Sequence, residues 1–556
     1  MTPAADGSQR DSTGPPGVVA ARRWLTPVNL AIAGFTVLGL VLRLYLLNRP
    51  GYLLGVTQYD DGPYFGSALR LVHGGLPYRD FIIVQPPGIT LLMTPAALLA
   101  QVTGTAWGMA VGRILTVLAS SAGILMVGLL SRHRGLLAVT LSCGILAIFP
   151  GSLVAAHTVL LEPWLVLFCL AGALAVLDRD QLAGSGRRLL AGGLAFGFAG
   201  AVEVWSVIPV VVVAILLARQ LRRVALFVAG VAIGFVVPVL PFAALAPRRF
   251  YNSFFAAQLF RVVPSPTPVE KRLRLMTGIG QVLHLGDTGV LIATLVIVIF
   301  VPAALAAAWL ISRQSPAPLD WFAVGTTALV VAAFLAYAQF FLHFPAFLAP
   351  FLGLSIGLAA ARLAAALQRG ELQRGEPQRG EPQRGEPQRG GSRPRLGSWV
   401  QWTVAALAAA GVVALAVVQG QRDQEVSVRV SPAALATVDR LVHPGACVLT
   451  DQVSFTIAAG RFYSDVPGCS LLVDSIGTDY ALGHGRDASS GAADYSGVKA
   501  YWRGAFAHAQ YVWLNQRFNR RRVAWTPGLR YYFYHHFRKV YTDGKLDVLY
   551  ARRAGG

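Results

Sequence analysis

The sequence predicts a polytopic α-helical membrane protein with about eleven transmembrane helices and an exported C-terminal α/β domain. Three observations lead to this fold class. Of the 556 residues, 54% are hydrophobic and only 13% are charged, about half the charged fraction of a typical soluble domain. Several apolar runs reach roughly 20 residues, the length that crosses a hydrocarbon core of about 30 Å. After residue 420 the composition becomes that of a water-soluble domain.

The first 26 residues are expected to form a disordered cytoplasmic segment. Arg22 and Arg23 immediately precede the first apolar run, and basic residues favour the cytoplasmic side of a membrane. That run, residues 27–47, is too long for the hydrophobic part of a cleavable signal peptide. We therefore expect it to remain as an anchor and to begin a transmembrane domain over residues 27–364.

The apolar run 88–102 is predicted not to cross the membrane. It is short, it follows Pro86 and Pro87, and Pro95 interrupts it, features typical of a re-entrant or interfacial segment. If it does not cross, the basic cluster 131–134 lies in the cytoplasm, as the positive-inside rule requires. By alternation the other cytoplasmic segments are 178–188, 219–223, 312–314 and 362–395, and the external segments are 48–88, 150–162, 246–287, 339–344 and everything after 420. The short helices 189–203 and 205–218 are expected to form a hairpin, which preserves this alternation.

The net charge of +21 does not indicate a nucleic-acid partner, because much of the arginine lies in short loops between spans. The external segment 246–287 is nevertheless basic. Basic charge has no topological use on that side, so it indicates an anionic ligand, which arginine binds well. Attraction to anionic membrane lipid is the alternative.

The C-terminal part divides into a linker, a last span and a soluble domain. Residues 365–398 contain a Gln-Arg-Gly-Glu repeat typical of a flexible linker, residues 399–418 form the last span, and residues 420–556 form the exported domain. Predicted strands 447–451, 471–474, 511–514 and 547–551 alternate with helices 432–442, 494–509 and 527–537, which indicates a partly parallel sheet covered by helices. Cys447 and Cys469 can form a disulfide if this domain is exported, whereas Cys143 and Cys169 are expected to be inert packing residues.

The first external loop carries the most informative motif, Asp60-Asp61-Gly-Pro-Tyr64. A carboxylate at the membrane surface can remove a proton from an attacking hydroxyl. For Asp61, which precedes Gly-Pro at a predicted helix start, capping of the helix is an alternative role. Asp60 is the better candidate base, because one cap suffices.

Further candidates lie at the outer ends of later spans. Glu162 begins an apolar span, where an ionisable side chain is a functional hypothesis by default, although it can simply start the helix at the interface. His157 can be a ligand or an interfacial histidine, and Glu203 is similar to Glu162. The external segments add Gln258, Arg261, Arg274 and His343.

On these residues the chain resembles the GT-C superfamily of polyprenyl-phosphate-sugar glycosyltransferases, in the branch of protein O-mannosyltransferases and aminoarabinose transferases, and actinobacterial members look most similar. Asp60-Asp61-x-x-Tyr64 resembles the Asp-Glu-x-x-Tyr signature of that branch, with Asp in place of Glu. The resemblance also rests on Pro86-Pro87, on Arg113 early in the next span, on Glu162, and on the aromatic and proline run after His343. One departure is that Val84-Gln85 replaces a Glu-Lys pair.

The resemblance implies inverting transfer of a sugar from a polyprenyl-phosphate donor to a hydroxyl, with Asp60 as general base and the active site on the external face of the plasma (inner) membrane. The missing lysine leaves Arg79 or the basic loop to bind the donor phosphate. The implied substrate-binding residues are Tyr64, Arg79, Gln85, Arg113, His157, Gln258, Arg261, Arg274 and His343. A divalent cation held by Asp60, Asp61 and Glu162 is an open possibility.

The residues leave other functions open. A transporter or flippase of lipid-linked sugars accounts for the spans and the basic sites but not for the soluble domain or the surface carboxylates. A non-catalytic scaffold is the third alternative. The sugar (mannose, arabinofuranose or another pentose) and the acceptor (glycan, glycolipid or protein) are not determined by the sequence, nor is the oligomeric state.

Overall fold

The computed structural model describes residues 26–283, 285–375, 396–421, 430–544 and 547–554. Within these ranges seven helices are long and apolar enough to cross a membrane. An eighth span results if the helices Leu136–Ile148 and Pro150–Ala156, which are bent by 55°, are counted together. The polytopic helical fold class is therefore confirmed. Apart from Thr26, the predicted cytoplasmic segment 1–26 lies outside the described residues.

The long spans are Pro27–Leu47, Thr105–Arg134, Leu221–Leu245, Asp287–Ser312, Pro318–Ala336, Pro345–Arg369 and Trp402–Gln421. Shorter helices occupy the other predicted spans: Glu162–Val176, Gly186–Val202 and Val207–Leu217. The helix that begins at Pro345 continues to Gly375 and the last one begins at Leu396, so both ends of the predicted linker 365–398 are helical. The Ala-rich sequence before residue 368 favours this extension. The linker residues 376–395 lie outside the described residues.

The loops predicted to be cytoplasmic meet at one end of the helix bundle. Arg134 Nε donates to Asp180 at 2.8 Å, and its Nη2 lies 3.1 Å from Asp320. Arg362 pairs with the same carboxylate of Asp320 at 3.0 Å. These contacts join the loops 131–134 and 178–182 to the start of the helix Pro318–Ala336. We call this side the arginine-rich end.

The segments predicted to be external meet at the other end, where the C-terminal domain also lies. Hydrogen bonds from side chains to backbone carbonyls connect them: Arg249 donates to the Arg79 carbonyl, Gln258 to the Val84 carbonyl, and Thr267 to the Phe340 carbonyl. The two groups of loops are thus separated as the charge pattern predicts.

The helix Gly88–Thr103 begins and ends at the C-terminal-domain end. At its start, a Cβ on Gly88 would lie 2.4 Å from the Ala201 carbonyl, at the end of the helix Gly186–Val202. Just after it, Thr105 Oγ1 donates to the Ile457 carbonyl of the C-terminal domain at 2.6 Å. Residues 88–103 therefore return to the side on which they began, as predicted from their length.

Glycines fix the packing of Gly186–Val202 against Leu221–Leu245. A Cβ on Gly197 would lie 2.1 Å from the Val231 carbonyl, and one on Gly193 would lie 2.3 Å from the Phe227 carbonyl. The opposing helix offers Gly230 and Gly234, each facing a carbonyl of the first helix in the same way. Such paired small-residue motifs let two helix backbones approach closely in a membrane, where dispersion contacts rather than hydrophobic burial hold helices together.

Two sheets are formed by the described residues. Leu177–Asp178 (β1) and Gln181–Leu182 (β2) make a short antiparallel hairpin at the arginine-rich end. The C-terminal domain has Val448–Thr450 (β3), Tyr511–Asn515 (β4), Phe537–Asp543 (β5) and Asp547–Arg552 (β6) in the order β3-β4-β6-β5. β3 and β4 are parallel and the other pairs are antiparallel, so the partly parallel sheet is observed.

The strand predictions are right for β3, β4 and β6 and wrong for residues 471–474, which form no strand. Leu472 and Val473 are apolar because they are buried in the hydrophobic core of the domain, and burial alone gives the same sequence pattern as a buried strand. β5 was missed because an edge strand pairs on one side only and stays largely exposed, so its sequence is mostly polar.

The remaining helices belong to the loops and the C-terminal domain. Those of the loops are Asp61–Val72, Pro247–Phe250, Ala257–Leu259, Val269–Thr277 and Ile279–Leu283, with a π-helical turn at Tyr251–Ala256. Those of the domain are Pro432–Leu441, Val453–Ala458, Ser475–Leu482, Ser496–His508, Asn519–Arg522 and Pro527–His536. Single turns of 3₁₀-helix occur at Arg132–Arg134, Val204–Ser206 and Ala492–Asp494.

The C-terminal domain shares one hydrophobic core with the first external loop. Phe65 and Ile83 of the loop belong to the same buried cluster as Phe455 and Trp513 of the domain. A Cβ on Gly62 would lie 2.4 Å from the Ser454 backbone nitrogen, so the loop and the domain touch backbone to backbone. The C-terminal domain therefore packs directly against the first external loop, and the two share one core.

Cys447 and Cys469 form a disulfide, with 5.6 Å between their Cα atoms. It ties the start of β3 to the loop before Leu472, outside the sheet. Cys143 and Cys169 are free and buried, which agrees with the prediction that they pack inside the spans.

Candidate active site

Asp60 and Asp61 stand at the start of the helix Asp61–Val72, but they have different environments. Asp60 is the residue before the first helical turn, and its side chain makes no capping hydrogen bond. Its carboxylate is partly buried. Asp61 is fully buried in the first turn, so neither residue acts as the predicted side-chain cap.

Asp61 is paired with Arg113 inside the protein. Asp61 Oδ2 accepts from Arg113 Nη2 at 2.5 Å and from Nε at 3.2 Å, while Oδ1 accepts from the Val159 backbone N–H at 2.5 Å. Arg113 Nη1 also donates to the Tyr52 and Leu53 carbonyls at 2.7 Å each. Both side chains are 0% exposed. The two side chains are therefore occupied by each other and by backbone groups, which is a structural role; the catalytic role expected for Asp61 and the substrate contact expected for Arg113 stay predictions.

His157 belongs to the same buried cluster. Its ring lies 5.4 Å from that of Tyr52, and Nδ1 is 2.8 Å from the Leu153 carbonyl. Among the described residues its Nε2 has no hydrogen-bond partner. His157 therefore packs behind the Asp61–Arg113 pair.

Asp60 faces charged groups from three other parts of the chain. Burial raises the pKa of its carboxyl above the ordinary value, and the nearby Asp474 and Glu162 raise it further, while His343 and Arg522 lower it. Glu162 Oε1 lies 3.5 Å from His343 Nε2. The structure therefore brings together three of the predicted residues, Asp60, Glu162 and His343, with two from the C-terminal domain.

Tyr64, one helical turn after Asp60, is buried beside the same carboxylates. Burial raises its pKa well above the ordinary value, and the negative charges of Asp60 and Glu162 add to this effect. The phenol therefore stays protonated and can donate a hydrogen bond to an anionic oxygen.

Asp474 of the C-terminal domain holds the segment before Asp60 in place. Asp474 Oδ1 accepts from the Tyr59 hydroxyl at 2.9 Å and from the Gly477 N–H at 2.7 Å, the second bond capping the helix Ser475–Leu482. The Ile476 N–H donates to the Tyr59 hydroxyl at 3.0 Å. Asp474 is not among the predicted site residues, because in sequence an aspartate before Ser-x-Gly indicates only a helix N-cap.

Arg522 is the second residue from the C-terminal domain. Its guanidinium lies over the Tyr59 ring, 4.5 Å from the centroid, and Nη1 donates to Gln452 Oε1 at 2.6 Å. Asp451 Oδ2 is 4.0 Å from Nη1. In sequence Arg522 is one of three consecutive arginines, and nothing distinguishes it from its exposed neighbours.

Arg261 and Gln258 join the basic external loop to this site. Arg261 lies over the Tyr480 ring at 4.2 Å, donates to Gln339, and acts electrostatically on Asp474. Gln258 Nε2 donates to the Val84 carbonyl at 2.9 Å, and the neighbouring Gln85 carbonyl accepts from the Tyr78 hydroxyl at 2.6 Å. Gln85 thus makes this contact through its backbone carbonyl, next to the Val84 carbonyl that Gln258 contacts.

Two predicted arginines have acidic partners elsewhere. Arg79 pairs with Asp80 at 2.8 Å in an exposed contact. Arg274 pairs with Asp287. The structure brings neither of them into the group of charges around Asp60.

The expected cation set Asp60, Asp61 and Glu162 does not fit a metal ion. Both oxygens of Asp61 already accept hydrogen bonds from Arg113 and Val159. In the described part of the chain no three His, Cys, Asp or Glu side chains are grouped closely enough to hold an ion. The reaction considered below therefore uses only the protein's own side chains.

The arrangement as a whole offers one accessible carboxylate bordered by cationic side chains at the junction of the helix bundle and the C-terminal domain. A carboxylate placed in this way can accept a proton, and the cations can stabilise a developing anion.

Comparison with known proteins supports the fold. The sequence matches no protein-family model and no curated protein. Among solved structures, ArnT from Cupriavidus metallidurans bound to undecaprenyl phosphate aligns over 98% of this chain and 99% of its own, with a TM-score of 0.53 and 16% identity. The Archaeoglobus fulgidus oligosaccharyltransferase tethered with an acceptor peptide aligns over 96% of this chain and 75% of its own, with a TM-score of 0.50 and 12% identity. Both are GT-C glycosyltransferases, so the chain has the fold that the resemblance predicted.

Proposed function

We propose that this protein is a membrane glycosyltransferase that moves a sugar from a polyprenyl-phosphate donor to a cell-envelope acceptor, with Asp60 as general base. The observation that carries the proposal is the contrast between the two aspartates: Asp61 is neutralised by Arg113, whereas the Asp60 carboxylate makes no capping bond and faces His343 and Arg522. The shared fold supports the proposal, because ArnT with this fold binds undecaprenyl phosphate.

In the proposed reaction the acceptor hydroxyl gives its proton to Asp60 while its oxygen attacks the anomeric carbon of the donor. The bond from that carbon to the phosphate oxygen breaks, and the polyprenyl phosphate leaves with the bonding electrons. A single displacement inverts the configuration at the anomeric carbon. The raised pKa of Asp60 makes it a stronger base than an ordinary aspartate, which improves proton transfer near neutral pH.

The leaving phosphate needs positive charge in a site sheltered from water. Arg261 is the best placed of the predicted arginines, since it lies over Tyr480 and acts on Asp474. Arg522 adds positive charge near Asp60. Burial lowers the pKa of His343 below its ordinary value, so near neutral pH its imidazole offers a hydrogen bond rather than a permanent charge. We propose that Glu162 orients His343 through their 3.5 Å contact.

We propose that the site and the C-terminal domain lie outside the plasma (inner) membrane. The arginine-rich end gathers Arg134 and Arg362, and such residues favour the cytoplasm. The Cys447–Cys469 disulfide at the other end suits an oxidising compartment. The proposal leaves the donor sugar open among mannose, arabinofuranose and another pentose, and the acceptor among a glycan, a glycolipid and a protein of the envelope.

The test is transfer of radiolabelled sugar from a panel of polyprenyl-phosphate donors to membrane acceptors, comparing wild type with Asp60→Asn. We expect the variant to lose activity by roughly 10²- to 10⁴-fold, the usual contribution of a general base. Asp439→Asn is a matched control, because Asp439 is a half-exposed aspartate paired only with Arg461 at the surface. Full transfer by Asp60→Asn would exclude Asp60 as the base, and the absence of transfer by wild type across the panel would favour a lipid-sugar flippase.

A further inference from the structure

A cavity lies beside the candidate active site, between the first external loop, the segment 249–253 and the C-terminal domain. Its volume is about 390 Å³, in the range of small-molecule sites. The helix Ser475–Leu482 separates the two sites: Asp474 and Ser475 at its start contact Tyr59, and Thr478, one turn later, lines the cavity. A ligand in the cavity is thus one helix away from Asp60.

The cavity carries net positive charge. Arg70 and Arg249 line it together with a single carboxylate, Asp80. Asp80 is shared, because Arg79 donates to both of its oxygens and the Leu76 N–H donates to Oδ2, while it also acts electrostatically on Arg70. One carboxylate therefore serves Arg79 and Arg70, and the lining keeps a net positive charge.

Arg70 is built into the wall rather than extended into solvent. Its Nε is buried and, among the described residues, has no hydrogen-bond partner. The residue as a whole is partly buried, and burial lowers the pKa of its guanidinium. A buried N–H without a hydrogen-bond partner is unfavourable, and an anion bound in the cavity can accept from this guanidinium.

The rest of the lining suits a sugar. The Tyr501 side chain contacts Thr478 through a hydrogen bond, and the Phe81 ring lies below Arg70, 5.9 Å from its guanidinium carbon. Asn252 adds an amide from the π-helical turn Tyr251–Ala256, a type of turn that is frequent at functional sites. Rings, hydroxyls and an amide can bind the faces and hydroxyls of a saccharide, and the arginines can bind its charge.

We propose that this cavity binds an anionic saccharide, through a carboxylate or phosphate group held by Arg70 and Arg249, and that this saccharide is part of the acceptor. The second statement rests on the proposed function, whereas the binding itself does not. An acceptor anchored in this way extends past Thr478 toward Asp60, which positions its hydroxyl for attack.

Ligand-observed NMR with the purified full chain tests the proposal, with glucuronate and glucose 6-phosphate as anionic probes and glucose as the neutral comparator. We expect both anionic probes to bind more tightly than glucose, and Arg70→Gln to weaken them by roughly tenfold, the value of a charge-assisted hydrogen bond. Arg249→Gln, on an exposed side chain, gives the same direction of change with little effect on folding. Asp80→Asn removes a negative charge and tightens binding.

Controls separate this proposal from the proposed function. Arg461→Gln removes an arginine that pairs with Asp439 and is not among the residues lining the cavity, and it leaves binding unchanged. Asp60→Asn abolishes transfer but leaves probe binding intact, so failure of the transfer assay with intact binding overturns only the proposed function. Equal binding of glucose and the anionic probes, or wild-type affinity in both arginine variants, overturns the anionic site.

Discussion

Asp61 and Arg113 form an ion pair at 2.5 Å in which neither side chain is exposed to solvent. The two residues are separated by 52 positions in sequence, and their contact fixes the start of the helix Asp61–Val72 to the span that begins at Thr105. Because the pair uses the carboxylate of Asp61, Asp60 is the member of the motif that we propose as the general base.

Removal of one partner of this pair is expected to unfold the protein rather than only inactivate it. Asp61→Asn leaves the Arg113 guanidinium buried without its counter-charge, which costs about 3–5 kcal/mol. Asp60→Asn changes a partly exposed group without a capping bond and is expected to alter stability by about 0.5 kcal/mol or less. Thermal unfolding of the two purified variants measures the difference, and the double variant Asp61→Leu/Arg113→Met serves as control because it removes both charges and regains stability. Equal stability of the two single variants would contradict the structural role of Asp61.

The pH dependence of transfer is expected to report the charges around Asp60. A general base must be deprotonated, so activity rises with pH through the pKa of Asp60, which burial and Asp474 raise. Arg522→Gln and His343→Gln remove contributions that lower this pKa and therefore move the acidic limb to higher pH. Asp474→Asn removes a negative charge that raises the pKa of Asp60 and therefore moves the acidic limb to lower pH. The amide oxygen of the new asparagine can still accept from the Tyr59 hydroxyl. The pH–rate profiles of these three variants show whether the acidic limb shifts in the expected directions. If the limb stays at the same pH in all three, it reports the titration of a group other than Asp60.

The Cys447–Cys469 disulfide is expected to stabilise the C-terminal domain. The cysteines are 22 residues apart, and closing a loop of this size contributes roughly 3 kcal/mol. The double variant Cys447→Ser/Cys469→Ser should therefore unfold at lower temperature, and wild type should show the same shift after reduction. The matched control is treatment of Cys447→Ser/Cys469→Ser with the same reductant, which should not lower its unfolding temperature further. Cys143→Ser/Cys169→Ser does not serve as a control, because both of these thiols are buried and their replacement can destabilise the protein by itself. No difference between reduced and oxidised wild type would contradict this prediction.

The glycine contact between Gly186–Val202 and Leu221–Leu245 is expected not to tolerate a side chain. A Cβ on Gly197 would lie 2.1 Å from the Val231 carbonyl oxygen, closer than two non-bonded heavy atoms can approach. Gly197→Val therefore forces the two helices apart. We expect a large loss of folded protein in size-exclusion chromatography. Gly34→Ala is the control, since a Cβ there meets nothing within 4 Å. Wild-type yield of Gly197→Val would show that this pair of helices can separate without consequence.

Several features of the site follow from sequence because they depend on local properties. The length of an apolar run predicts whether it crosses the membrane, and the positions of arginines predict which loops gather together. These two properties place Asp60, Glu162 and His343 at the same end of the bundle, and the structure brings the three together. They also predict that residues 88–103 begin and end on one side.

The roles of individual residues are decided only by the tertiary structure. Asp60 and Asp61 are adjacent and chemically identical, and only the positions of Arg113 and of the Val159 N–H, which bind the carboxylate of Asp61, distinguish the two. Asp474 bonds to Tyr59 across 415 residues of sequence, and no local pattern predicts such a contact.

The sequence by itself therefore determined the membrane class, the distribution of loops between two ends, and the neighbourhood of the site. The tertiary structure decided which carboxylate is available, that the C-terminal domain supplies Asp474 and Arg522, and where Arg79 and Arg274 find their partners. The physical reason is that span length and loop charge act on each segment separately through the membrane, whereas ion pairs and buried hydrogen bonds depend on which distant segments pack together.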